Sequence, residues 1–132
     1  MMADQYLENR KEVKDMNYLY RTQAYLNSVT ATANSLCGMI LSDALQDNIE
    51  TQYKITITLL ELEQETADFI DSVGLASELQ HAVLGSKRKF MNINKRLIKH
   101  LEKLQLQGYH FEAVISTLKL ENATLEKEIH FL

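Results

Sequence analysis

Glu78 and His81 stand three residues apart in "SELQH". On a helix that spacing puts a carboxylate and an imidazole on one face, as in the carboxylate-bridged metal sites of four-helix bundles. Such a site also needs a second Glu-x-x-His pair and two further inward carboxylates. Glu126 and His130 are four apart and do not supply the pair. His100 and His110 lie too far apart along a helix to hold one ion together, so all four histidines are expected at the surface or rim. Cys37 is the one cysteine and lies in "LCGMILSDAL", where it reads as a small buried hydrophobe rather than a reactive thiol. No G-x-x-x-x-G-K-[ST], G-x-G-x-x-G, C-x-x-C or H-E-x-x-H occurs, and no local signature marks a nucleophile. The expectation is no enzyme, no cofactor and no metal.

A second constellation is basic. The chain has a net charge of −4, but residues 1–85 carry −8 and residues 86–103, "SKRKFMNINKRLIKHLEK", carry +6. At helical spacing Arg88, Lys89, Lys95, Arg96, Lys99 and Lys103 fall opposite the apolar seam of the same segment, which leaves them available after packing. Three roles compete for them: a solvated face, pairing with the acidic run Glu61, Glu63, Glu65, Asp68 and Asp71, or binding phosphates or an acidic partner. The arrangement resembles basic-zipper proteins in topology only, because Phe90 and Leu97 already carry the apolar repeat inside the basic part. A sequence pI near 5.5 repels a polyanion at long range, so nucleic acid is the lesser expectation.

These side chains must be placed by helices. The chain has 132 residues, no proline, no tryptophan and four glycines, and an all-β chain would need many more turn residues. Leu19, Leu26, Val29, Ala33, Leu36, Ile40 and Ala44 share one face of a first helix from about Asp4 to Leu45, which "NSVTATANS" could bend. Asp47 with Glu50 suggests a capping box for a second helix. Its stripe is Ile55, Leu59, Leu62, Phe69 and Val73, and Gly74 is expected to end it. The alternating opening of that helix, residues 53–62, has a strand as rival. Ser77 starts a short third helix that Gly85 ends. Ser86 caps a fourth helix to about Gln107, and after Gly108 a fifth runs from about Tyr109 to Phe131. Tyr18 and Tyr25 share a face of the first helix, as a contact patch or a core rim.

One heptad register fits Phe90 to Leu132, with Asn94, Gly108 and Asn122 as the only non-apolar core positions. Six successive heptads argue for a coiled-coil contact. Phe111, Ile115, Leu118, Asn122, Leu125, Ile129 and Leu132 are therefore the expected partner or oligomer interface, with Asn122 fixing register against its copy in a facing chain. Glu121 and Glu126 would repel across a parallel homodimer, which favours an antiparallel or heterotypic partner.

The expected architecture is an all-α, elongated bundle of four to five helices, with residues 1–107 as the bundle and 108–132 as a coiled-coil-like oligomerisation helix, the two forming one structural unit. The expected function is non-enzymatic: an assembly factor, adaptor or stoichiometric inhibitor, forming a homo-oligomer (a dimer by preference) and binding a protein partner. The alternative is a nucleic-acid-binding regulator using helix 87–103. No segment reaches the roughly 18–20 apolar residues of a membrane span, and the charged N-terminus lacks a secretory core, so a cytoplasmic location is expected. The composition also suits a phage or viral accessory protein.

Overall fold

The computed structural model describes the backbone of residues 2–73 and 77–131, and the side chains of residues 17–72 and 78–130. Four α-helices make up nearly all of it: α1 (Met2–Ile40), α2 (Ile49–Val73), α3 (Gln80–Leu106) and α4 (Glu112–Phe131). Among the described residues there is no strand, and the β-branched stretch 53–62 lies inside α2. The helices run up and down in chain order. Ile40, Leu104 and Phe111 share one end of the core; Leu26, Ile70, Leu79 and Val83 form the other. The closest backbone approaches are α1 to α2, α1 to α3 and α3 to α4.

Local chemistry explains the boundaries. α1 continues through "NSVTATANS" without a break, since Thr30 and Thr32 donate their hydroxyls to the carbonyls of Leu26 and Ser28, each at 3.0 Å. These hydroxyls are satisfied on the helix itself, while Val29, Ala33, Cys37 and Ile40 are sealed in the core. The helix ends at Ile40 rather than Leu45, where a 3-10 turn, Asp43–Leu45, reverses the chain. The cap of α2 is one residue later than the Asp47–Glu50 box: Asn48 Oδ1 accepts the Thr51 N–H at 3.1 Å, satisfying an orphan donor of the first turn.

The expected break at Gly85 is absent. A 3-10 turn, Ser77–Leu79, leads straight into α3, which runs unbroken through Gly85 and Ser86. Ser86 is not a cap. It lies on the buried face with Val83 and Phe90, and packing of that face outweighs the roughly 1 kcal/mol that an internal glycine costs. The expected end of α2 at Gly74 lies outside the described residues.

Gly108 is a true reversal. Its φ is +101°, which glycine adopts without penalty. Its N–H meets the Gln105 carbonyl at 3.0 Å and the Tyr109 N–H meets the Leu104 carbonyl at 3.2 Å, the pair of bonds that closes a Schellman end. α4 then starts at Glu112, with the Phe111 N–H donated to Gln105 Oε1 at 3.2 Å.

Candidate functional site

The innermost row of α2 is largely polar. Gln52, Thr56, Leu59, Glu63, Thr66 and Ile70 recur every three or four residues and are all buried, whereas Ile55, Leu60, Leu62 and Phe69 only flank them. A reading by hydrophobicity selects the flanks and misses this row. Two threonines satisfy themselves on α2: Thr56 Oγ1 donates to the Gln52 carbonyl at 2.8 Å and Thr66 Oγ1 to the Leu62 carbonyl at 2.7 Å. Gln52 Nε2 donates to the Leu45 carbonyl in the α1–α2 turn. Its Oε1 lies 2.8 Å from His100 Nε2, so that nitrogen carries the proton. Burial first and Lys103 second hold the His100 pKa below its usual value, which favours the neutral ring.

Glu63, like Gln52, finds its partner outside α2. It reaches between α3 and α4, where Asn94 Nδ2 donates to its Oε1 at 2.6 Å. Asn94 Nδ2 also donates to Asn122 Oδ1 at 3.0 Å, and Asn122 Nδ2 donates to the Met91 carbonyl at 3.2 Å. Glu63 Oε2, Glu121 Oε2 and Asn94 Oδ1 are buried without a partner among these bonds. Burial and then the Glu121 charge push Glu63 up to about 8, with the Asn94 hydrogen bond opposing them. Burial also raises Glu121, while a protonated Glu63 carboxyl acts on it the other way. The carboxyl pair therefore keeps a proton well above the ordinary carboxylate range.

Beside this cluster a cleft of about 50 Å³ opens between α2, α3 and α4, lined by Glu63, Thr66, Ser86, Lys87, Phe90 and Leu125 among others. Lys87 and Glu128 bridge it at 2.8 Å. Ser86 Oγ, buried here, has no partner.

Asn122 is thereby accounted for within one chain. Asn94 and Asn122 each stand fourteen residues from Gly108, so folding the heptad row back at that glycine sets them opposite each other. Of the expected interface, Phe111, Ile115 and Leu118 lie in the chain's own core against Leu97, Leu101 and Leu104. Leu125 is half-buried against the same core, Ile129 is half-buried, and Leu132 lies outside the described residues. From Phe111 to Leu118 the ridge expected to meet another chain is covered by α3, because the row reverses direction at Gly108 instead of running on. Left uncovered are Leu106 and Leu120, 89% and 70% exposed.

The basic residues lie where their spacing places them. Arg88, Lys89, Lys95, Arg96, Lys99 and Lys103 are all exposed along α3. The ion pairs of the described residues are Lys54–Glu50, Lys87–Glu128 and Lys119–Glu102, and His110 Nδ1 lies 3.3 Å from Glu112 Oε1. None involves those six, so the acidic side chains of α2 do not neutralise them; Glu63, expected among those acids, is turned inward instead.

The remaining candidates separate. Glu78 and His81 are both exposed, and no three of His, Cys, Asp and Glu converge as a metal would require among the described residues. Cys37 is buried, and burial raises its thiol pKa. Tyr18 is 48% exposed, while the Tyr25 ring lies 4.4 Å from that of Phe69, as a core rim does. No helix is long and apolar enough to cross a membrane among the described residues. Compared with protein-family models, with curated proteins and with solved structures, the chain finds no match.

Proposed function

We propose that this chain is a non-enzymatic helical interaction protein, of the adaptor, assembly or stoichiometric-inhibitor kind, and that it engages an acidic protein partner through the outer face of α3. The observation that carries this reading is the set of six exposed cations at Arg88, Lys89, Lys95, Arg96, Lys99 and Lys103 without ion pairs, in a chain with an acidic surplus elsewhere. From Arg88 to Lys103 the face runs about 22 Å at the helical rise, and it is rigid because its opposite side is core. Complementary charge on a partner would speed encounter and fix register more than it adds affinity. Self-association loses the ridge that argued for it, although exposed Leu106 and Leu120 leave apolar surface for a second copy.

The nucleic-acid reading uses the same cations and is separated by experiment. Binding of the protein to poly-glutamate is expected at low salt. In the double variant Lys95→Glu and Arg96→Glu that binding should be lost with an unchanged melting temperature. In single alanine variants the slope of log affinity against log salt should fall by about 1 per contacting cation removed. A mobility shift of duplex DNA with the same dependence, and no binding to poly-glutamate, would favour the alternative. Binding to neither polyanion leaves the face as a solvated surface and ends the proposal.

A further inference from the structure

We propose that Glu63 of α2 and Glu121 of α4 share one proton across the bundle, and that this proton latches the distal half of α4, from about Glu121 onward, to α2 and α3. The inference is independent of what the basic face binds.

The geometry carries it. Glu63 Oε1 is occupied by Asn94 Nδ2 at 2.6 Å, which leaves Oε2 buried and unpartnered, and Glu121 Oε2 is buried and unpartnered too. Asn94 ties Glu63 to Asn122, the residue next to Glu121 on α4, and the two carboxyl groups act on each other there. Two ionised carboxylates there would repel in a poorly solvated site. One proton turns that repulsion into an O–H···O⁻ bond, which is short and strong.

Among the described residues no unpaired cation takes the proton's place. α1 presents Thr30, Ala33 and Cys37 to the core, with no acid or base other than the thiol. α3 presents Asn94, with Lys87 at the cleft, and Lys87 is spent on Glu128 of α4. Asp71 of α2 and Glu128 line the same cleft and add negative charge. The cleft also reaches Glu63, and at about 50 Å³ it has room for water to deliver or remove the proton.

The distal half of α4 is the part such a latch could control. Leu118 is fully buried, but Leu125 and Ile129 are only half-buried, so little apolar area holds the last three turns. Segments with few buried apolar contacts open locally before the molecule unfolds.

Glu63 has a higher pKa in the folded chain than in the unfolded one, so its contribution to stability is complete at low pH and is lost as pH rises towards about 8. The test compares amide protection factors and melting temperature at pH 7 and pH 9 in the full chain. Protection at residues 121–130 should fall about tenfold, with residues 114–118 changing less, and the melting temperature should drop by roughly 3–6 °C. In Glu63→Gln, which donates through its amide and never ionises, both changes should shrink to the background shared by groups such as Cys37. Should that variant fail to fold, Glu121→Gln and carboxyl carbon NMR of Glu63 in the native chain address the same point. Equal protection at both pH values, an unaltered pH slope in the folded variant, or a Glu63 midpoint in the ordinary carboxylate range would each overturn the proposal. So would protection at pH 9 that requires added Ca²⁺ and is removed by a chelator, since a metal ion would then occupy the pair.

Discussion

The two halves of the α3–α4 hairpin are built from the same heptad row and are held by different physics. Near Gly108, Leu97, Leu101 and Leu104 meet Phe111, Val114, Ile115 and Leu118 in a sealed apolar contact. Far from it, Asn94 meets Asn122 and Glu63 while Leu125 and Ile129 stay half-exposed. Apolar burial is strong and tolerant of sliding. A hydrogen-bonded amide pair contributes little net stability but penalises every register that breaks it. The near half supplies the energy of the hairpin, and the far half supplies its alignment.

The largest effect is expected at Leu118, which is fully buried in the near half. Leu118→Ala should cost about 3 kcal/mol in urea denaturation from the transfer and cavity terms; less than about 1 kcal/mol would mean that the near half is not the source of stability. Asn94→Ala comes next. It strands Glu63 Oε1 and Asn122 Oδ1 without their donor, and about 2 kcal/mol should be lost. Asn94→Leu restores the packing volume but leaves Glu63 Oε1 and Asn122 Oδ1 equally without their donor, so it should remain destabilised and recover at most the cavity part of the loss. With the register constraint gone, broadened or doubled NMR signals from α4 are the expected mark.

The glycines give the smallest effects, with opposite signs. Gly108→Ala should destabilise by about 1 kcal/mol, since a side chain at φ +101° is strained. Gly85→Ala should stabilise by up to about 1 kcal/mol, as the position is mid-helix and an added Cβ meets nothing within 4 Å. Equal changes at the two sites in thermal melts would show that Gly108 does not make the reversal that pairs the two halves.

Much of the helical framework was legible because periodicity and breakers act locally. The face of α1 from Leu26 to Ile40 and the exposure of the six cations on α3 follow from 3–4 spacing, and the burial of Cys37 from the apolar run around it; Ala44, placed on the same face, is exposed beyond the end of α1. Gly85 misled because an isolated glycine looks alike whether it ends a helix or is carried through by a packed face. The interior of α2 stayed hidden for a different reason: Gln52, Thr56, Glu63 and Thr66 are polar, and hydropathy cannot distinguish a polar residue facing water from one whose partners lie across the bundle. One signal was present: Asn94 and Asn122 stand equidistant from Gly108 in one heptad row, as two residues that meet across a reversal at that glycine must.

What the residues settle unaided is the helical class, the absence of familiar catalytic motifs and the segregation of positive charge onto one stretch, since each depends on neighbours a few positions apart. Which chain covers the C-terminal apolar ridge, and which carboxyls come together, depended on the reversal at Gly108 and on three helices converging at Glu63. Those outcomes are long-range. The same row of leucines buries equally well against another molecule or against its own preceding helix, and only the three-dimensional path of the backbone selects between them.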